Sequence, residues 1–294
     1  MTRRVLALLG VFLAAAAPGF AAIEDDCLFS GRVSGEGGWR PLRPGLEVRE
    51  IMVRFEDSSV ARLSGVRVMP GRFHARLHWN PKSASSGESA AEVARLTGAA
   101  VVANASYFDE NGRPLGFFLS GGKVYNRRIL FRGRSEALHL GAVFFVREGT
   151  GAMGIVGRET FAAEGVREAF QAGPYLVRES QPVMGIERYR EYWRPARRTV
   201  LAFEGDGHLI VLVSEPEGRG LSWCELQSFL ARPEARGGLG VAEAMNLDGG
   251  SSSQLLVQAA GYRGETAGRA VPAFLLLVPR QESQRGPGRE EARP

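Results

Sequence analysis

Glu243-Ala244-Met245-Asn246-Leu247-Asp248-Gly249-Gly250-Ser251-Ser252-Ser253 is the stretch from which both the fold and the chemistry of this chain can be read. Ala242 to Leu247 reads as a buried strand that runs straight into Asp248. Two glycines and three serines follow at once. A buried strand end holds a side chain rigidly, and the irregular loop beyond it lines a cleft. Asp248 is therefore expected to be a fixed carboxylate. Gly249 and Gly250 allow a sharp turn and the close approach of a ligand. Ser251, Ser252 and Ser253 add hydroxyls and backbone N–H donors that suit an anionic oxygen such as phosphate. A polar strand-to-strand turn that binds nothing is the alternative, because glycine-rich loops match by chance. No Gly-Lys-Ser/Thr follows, so the stretch is not a P-loop, and it is not a G-x-S-x-G elbow.

The same strand logic extends outward. Residues 46–55 and 60–69 alternate apolar and polar side chains, as does Phe73 to Trp79. Ala99 to Ala103 is a short apolar run that delivers Asn104 at its end. Further strands are expected at Phe117 to Leu119, Lys123 to Tyr125, Leu138 to Val146, Gln254 to Gln258 and Val271 to Val278. Ala172 to Val177 is expected to be extended. Thr199 to Phe203 and Leu209 to Ser214 flank Gly205-Asp206-Gly207 as a hairpin, and Asn111-Gly112 marks another turn. Two helices are predicted. One covers 88–97, with Ser89 and Glu92 in capping-box spacing; the other covers Ser222 to Leu230, opened by Ser222-Trp223-Cys224-Glu225. The pattern predicts an α+β protein: mixed β-sheets with a few packed helices.

Composition fits a globular protein, with 44% hydrophobic and 23% charged residues and 38 glycines. Arg3 and Arg4, the apolar run Val5 to Ala17 and the small residues near Ala21 and Ala22 read as a secretory signal over 1–22. A retained anchor is the alternative. An N-terminal segment (23–45), one catalytic domain (46–280) and a disordered tail (281–294) are expected to follow. The product would be exported, periplasmic or secreted, with no membrane association after cleavage. Without Arg3 and Arg4 the formal charge falls from +5 to +3, and the arginines are spread along the chain, which argues against a nucleic-acid partner. Cys27 and Cys224 either pair, as an oxidising compartment allows, or remain isolated thiols. His74 and His78 lie four apart on an alternating stretch and are expected to be structural or exposed. No spacing demands a metal, and no cofactor is expected.

Several ordered blocks resemble the phosphodiester glycosidase family. Val101-Val102-Ala103-Asn104-Ala105-Ser106-Tyr107-Phe108-Asp109 resembles the family's Asn-Gly-Gly-Phe-Phe-Asp block. Ala172-Gly173-Pro174-Tyr175-Leu176-Val177, Arg198-Thr199 before the hairpin, and Gly220-Leu221-Ser222 with Glu225-Leu226 resemble three more. Asn246 to Ser253 resembles its Asn-Leu-Asp-Gly-Gly-Gly-Ser-Ser signature, and Val271-Pro272 its closing strand. The resemblance covers roughly residues 46–280. Ala105, Ser106, Ala202 and Ser251 stand where the family keeps glycine.

The resemblance implies hydrolysis of a sugar-1-phosphodiester at the glycosidic C–O bond, with a glycan or sugar-phosphodiester as partner. Such a reaction needs carboxylates beside an oxocarbenium-like centre and cationic or N–H donors on the phosphate. Asp248 is the first candidate carboxylate and Glu225 the second, although Glu225 also serves the capping box. Arg198 is the candidate phosphate ligand, with Arg197 as its solvated neighbour. Asn104, Asp109, Asn246, Gly249, Gly250, Ser251 and Ser252 are the substrate-binding candidates. Local turn bonding is the alternative for Asp109 and the asparagines. A non-catalytic envelope glycan-binding protein on the same fold, or a phosphodiesterase cutting P–O, are the rival functions.

Overall fold

The computed structural model describes residues 31–34, 37–80, 87–130 and 140–280. The expected signal peptide, the expected tail and Cys27 lie outside the described residues. Cys224 is buried and disulfide-bonded, so the isolated thiol does not hold for it.

Among the described residues three β-sheets carry the fold, and the α+β architecture expected from the sequence is present. The largest is nine-stranded. Its path runs Arg32–Ser34, Leu46–Arg54, Val60–Val68, Leu209–Ser214, Thr199–Glu204, Val241–Asn246, Tyr175–Arg178 and Gln181–Pro182, with Arg40–Arg43 added beside Leu46–Arg54. A five-stranded sheet is ordered Met153–Gly157, Ala142–Arg147, Val166–Ala172, Phe118–Ser120 and Lys123–Asn126. A second five-stranded sheet is ordered Tyr262–Thr266, Leu255–Ala259, Val101–Asn104, Ala273–Pro279 and Phe73–Trp79. One apolar cluster draws on all three, with Leu46 and Leu201, Phe118 and Phe144, and Leu255 and Leu275 among its members. The sheets therefore share a core rather than standing as separate units.

Both helices start where the capping patterns predict. Ser89 accepts from the Glu92 N–H, and Ala90–Thr97 lays Ala90, Val93 and Ala94 on Val102, Leu256 and Phe274. Ser222 accepts from the Glu225 N–H, and Trp223–Ala231 buries Leu226, Phe229 and Leu230 against Val200, Ala202, Ile210 and Ala244. Each capping residue contributes about 1 kcal/mol to its helix.

Ala172 and Tyr175 to Val177 are extended as expected, but they belong to two strands. The chain turns at the cis Gly173–Pro174 bond, ending Val166–Ala172 in one sheet and starting Tyr175–Arg178 in another. Proline has no N–H to continue a ladder, so the break falls there. The carbonyl of Gly173 is thereby placed at the seam between sheets, where it enters the site described next.

Candidate active site

Two buried strands from different sheets end in asparagine, and the ends meet. Val101–Asn104 lies between Leu255–Ala259 and Ala273–Pro279, and Val241–Asn246 lies between Thr199–Glu204 and Tyr175–Arg178. Asn104 Nδ2 donates to the Asp248 carbonyl at 2.6 Å, while its Oδ1 accepts from Thr199 Oγ1 at 2.8 Å and Gln254 N at 3.0 Å. An amide side chain can supply a donor and a double acceptor together at one buried point. The Asp248 N–H donates to the Ala105 carbonyl at 3.1 Å, and the Leu247 N–H to the Thr199 carbonyl at 2.8 Å. Asn104, expected to orient substrate, thus fixes the backbone that carries Asp248.

The Asp248 side chain is half-buried at this junction. Burial pushes its carboxyl up to about 6; the Ser252 hydroxyl, the Gly249 N–H and the charge of Arg269 act in the opposite direction. The Gly249 N–H donates to Asp248 Oδ1 at 2.9 Å. Arg269 is exposed, its backbone N–H donates to the Ser251 carbonyl at 2.7 Å, and its guanidinium lies 5.7 Å from the Phe108 ring centroid. An exposed cation therefore stands within electrostatic reach of the fixed carboxylate.

Tyr107, Asn246 and Gly173 form a second hydrogen-bonded group beside Asp248. Tyr107 Oη donates to the Gly173 carbonyl at 2.9 Å and accepts from Asn246 Nδ2 at 2.8 Å. Burial, and next the charge of Asp248, raise the Tyr107 phenol above its ordinary range, so it stays protonated near neutral pH. Asn246 is fully buried, and its Oδ1 has no hydrogen-bond partner among the described residues; the same holds for the hydroxyls of Ser106 and Ser253. Unpaired buried polar atoms cost about 1–3 kcal/mol each, so their grouping along the strands and loop that carry Asp248 is a feature of the site.

Arg198 is buried, and it braces the protein. Nε donates to the Leu221 carbonyl at 3.0 Å, Nη2 donates to the carbonyls of Glu191 and Arg194 at 3.2 and 2.8 Å, and the guanidinium lies 5.2 Å from the Trp223 ring centroid. Only Nη1 is unengaged among the described residues. Tyr107, Glu191 and Glu225 all lie within its electrostatic reach. The carboxylate of Glu225 is committed to its helix start: Oε2 accepts from the Ser222 N–H at 2.8 Å, and Oε1 pairs with Arg219 Nη2 at 2.6 Å. Arg197 is not a solvated neighbour. It is half-buried and donates through Nη2 to the carbonyls of Ser253 and Ala267 at 2.7 and 2.9 Å, tying the Asp248 loop to the Arg269 loop.

The remaining candidates separate cleanly. A Cβ on Gly249 would lie 3.0 Å from the Arg197 carbonyl, so that glycine admits the chain itself rather than a ligand. Gly250 has φ +61, a left-handed conformation that favours glycine. Ser251 is exposed, while Ser252 is buried against Asp248. Ala105 and Ala202 belong to core clusters. Asp109 Oδ1 accepts from the N–H groups of Asn111 and Arg113 at 2.9 and 2.8 Å, a local turn. Among the described residues one group, Glu204, Asp206 and His208, brings metal-type ligand atoms within 4.8 Å of one another. It sits at the hairpin tip, where Arg67 lies 3.6 Å from Glu204, and it does not involve Asp248. Among the described residues, cavities of about 450, 240 and 450 Å³ lie elsewhere, and none of these is lined by Asp248. Tyr107, Glu191 and Arg269 were not singled out by sequence reasoning, although Tyr107 stands inside the Val101–Asp109 block.

The family model for phosphodiester glycosidases matches residues 97–278, a span that holds Asn104, Tyr107, Gly173, Asn246, Asp248 and Arg269. This chain belongs to the phosphodiester glycosidase family. Among solved structures, the catalytic domain of zebrafish N-acetylglucosamine-1-phosphodiester α-N-acetylglucosaminidase is similar at 17% identity and a TM-score of 0.58, covering 85% of this chain and 88% of that one. A hypothetical protein from Synechocystis is similar at 18% identity and a TM-score of 0.61, covering 84% of this chain. The match spans 64% of the length of the Synechocystis protein. At these identities the likeness speaks for the shared fold of the phosphodiester glycosidases. No curated protein matches the chain.

Proposed function

We propose that this protein is an exported hydrolase that cleaves the glycosidic C–O bond of a sugar-1-phosphodiester. The observation that carries the proposal is Asp248: a carboxylate fixed at a seam between sheets, with its pKa raised to about 6 and an exposed arginine in reach. Above that pH the carboxylate is ionised and suited to an oxocarbenium-like centre, as nucleophile or as stabilising charge. Arg269 is assigned to the phosphate, whose negative charge grows as the bond breaks. The leaving phosphomonoester departs as an anion and needs little protonation, so a strong general acid is not required. Asn246, Ser106 and Ser253 supply the unpaired polar atoms that a sugar hydroxyl or ordered water would satisfy. Glu191, which shares the surroundings of Tyr107 and Arg198, replaces Glu225 as the proposed second carboxylate.

Export rests on Arg3, Arg4 and the apolar run Val5 to Ala17. Among the described residues no helix is long and apolar enough to cross a membrane. N-terminal sequencing of protein recovered outside the cytoplasm is expected to begin just after Ala21 or Ala22; an N-terminus at Met1 refutes cleavage. For the reaction, purified protein is incubated with an aryl sugar-1-phosphodiester. Free sugar plus aryl phosphate is the expected outcome. Sugar 1-phosphate would assign a P–O phosphodiesterase, and binding without turnover a glycan-binding protein.

A further inference from the structure

Far from Asp248, two sheets leave a basic hollow of about 240 Å³ between them. Its lining includes Arg76 from the Phe73–Trp79 strand, Arg147 from Ala142–Arg147, Arg167 from Val166–Ala172, and Arg280 just beyond Ala273–Pro279. Within Ala273–Pro279, Phe274 pairs with Asn104 and Pro279 with Phe73. Six residues of strand, about 20 Å, therefore separate the Asn104 end from Arg280.

Four guanidinium groups on one concave surface repel each other unless something neutralises them, and this protein supplies little. The Arg76 side chain is exposed and has no hydrogen-bond or ion-pair partner among the described residues. Arg147 Nη1 donates to the Glu164 carbonyl at 2.9 Å, and Arg280 Nε to the Phe73 carbonyl at 3.2 Å; both are neutral acceptors. Arg167 meets Glu148 at 3.5 Å in an exposed pair, a geometry worth little. The one carboxylate in the lining, Glu168, is buried, accepts from the Leu77 N–H at 3.2 Å, and is held above the usual carboxylate range by that burial. His74 also lines the hollow, and burial together with the charges of Arg280 and Arg76 keeps it toward the neutral form. The Arg280 guanidinium packs directly on Gly151, where a Cβ would lie 2.6 Å from Nη2.

We propose that this hollow is a second anion site that binds phosphoryl groups, with Arg76, Arg147, Arg167 and Arg280 as donors. Guanidinium forks match phosphate oxygens in pairs, and a concave site with little internal neutralisation favours a multiply charged ligand. The site stands whether or not Asp248 is catalytic. The test is a titration of the isotope-labelled protein with pyrophosphate, followed through the arginine Nε–H resonances, against sodium chloride at equal ionic strength. Saturable shifts at the four arginines are expected, weakened about tenfold or more in Arg76→Ala/Arg167→Ala, which alters two exposed side chains. Asp248→Asn and Arg269→Ala are expected to leave the affinity unchanged. Shifts reproduced by sodium chloride would overturn the proposal, as would binding lost in Arg269→Ala but kept in the double variant.

Discussion

Burial at the seam between sheets pushes the Asp248 carboxyl up to about 6 from the ordinary 3.8, so the native state binds more protons than the unfolded chain between those values. Stability therefore falls as pH rises through that window, and the gap corresponds to about 3 kcal/mol above pH 6. Asp248→Asn removes the penalty. Urea unfolding is expected to show the variant more stable than wild type at pH 7, with the difference vanishing below about pH 4. The kcat/KM profile of wild type is expected to fall on the acid side with a midpoint near 6. The place of Asp248 is legible in one dimension, as a buried run ending in a carboxylate followed by glycines and serines, and Asn104 and Asn246 stand at matching strand ends. Arg269 and Glu191 are not legible there, because their nearness to the site arises only after the chain returns through other elements. The Arg198–Thr199 pair points to a phosphate ligand, but a buried arginine first has to satisfy its donors, and three backbone carbonyls do so.

At the scale of elements, capping boxes and alternating strands were readable because each is decided by neighbours within a few residues. The strands that escaped, Met153–Gly157 and Tyr262–Thr266 among them, are short and interrupted by glycine, and pairing rather than propensity makes them strands. The turn at Gly173–Pro174 escaped because apolar residues flank it on both sides. The Trp223–Ala231 helix yields a test that separates support from chemistry. Glu225→Gln weakens the cap and the Arg219 pair, and is expected to lower unfolding stability by about 1 kcal/mol while leaving kcat within about twofold of wild type. A loss of kcat beyond about a hundredfold, with the fold intact by circular dichroism, would return Glu225 to the chemistry.

At the scale of the whole molecule, the shared core makes the site a property of the assembled sheets. Asn104 comes from one sheet, Thr199 and Asn246 from another, and the Gly173 carbonyl from the turn joining that sheet to the third. With one apolar cluster drawing on all three sheets, tryptophan fluorescence and far-ultraviolet circular dichroism are expected to report a single coincident urea transition. Separate transitions would mean that one sheet unfolds alone. The most direct measurement of the central claim is hydrolysis of a sugar-1-phosphodiester in oxygen-18 water, run in parallel for wild type and Asp248→Asn. The label is expected on the anomeric hydroxyl of the released sugar with wild type, and no product is expected with the variant. Label in the phosphate, or undiminished turnover by a folded Asp248→Asn protein, would contradict it.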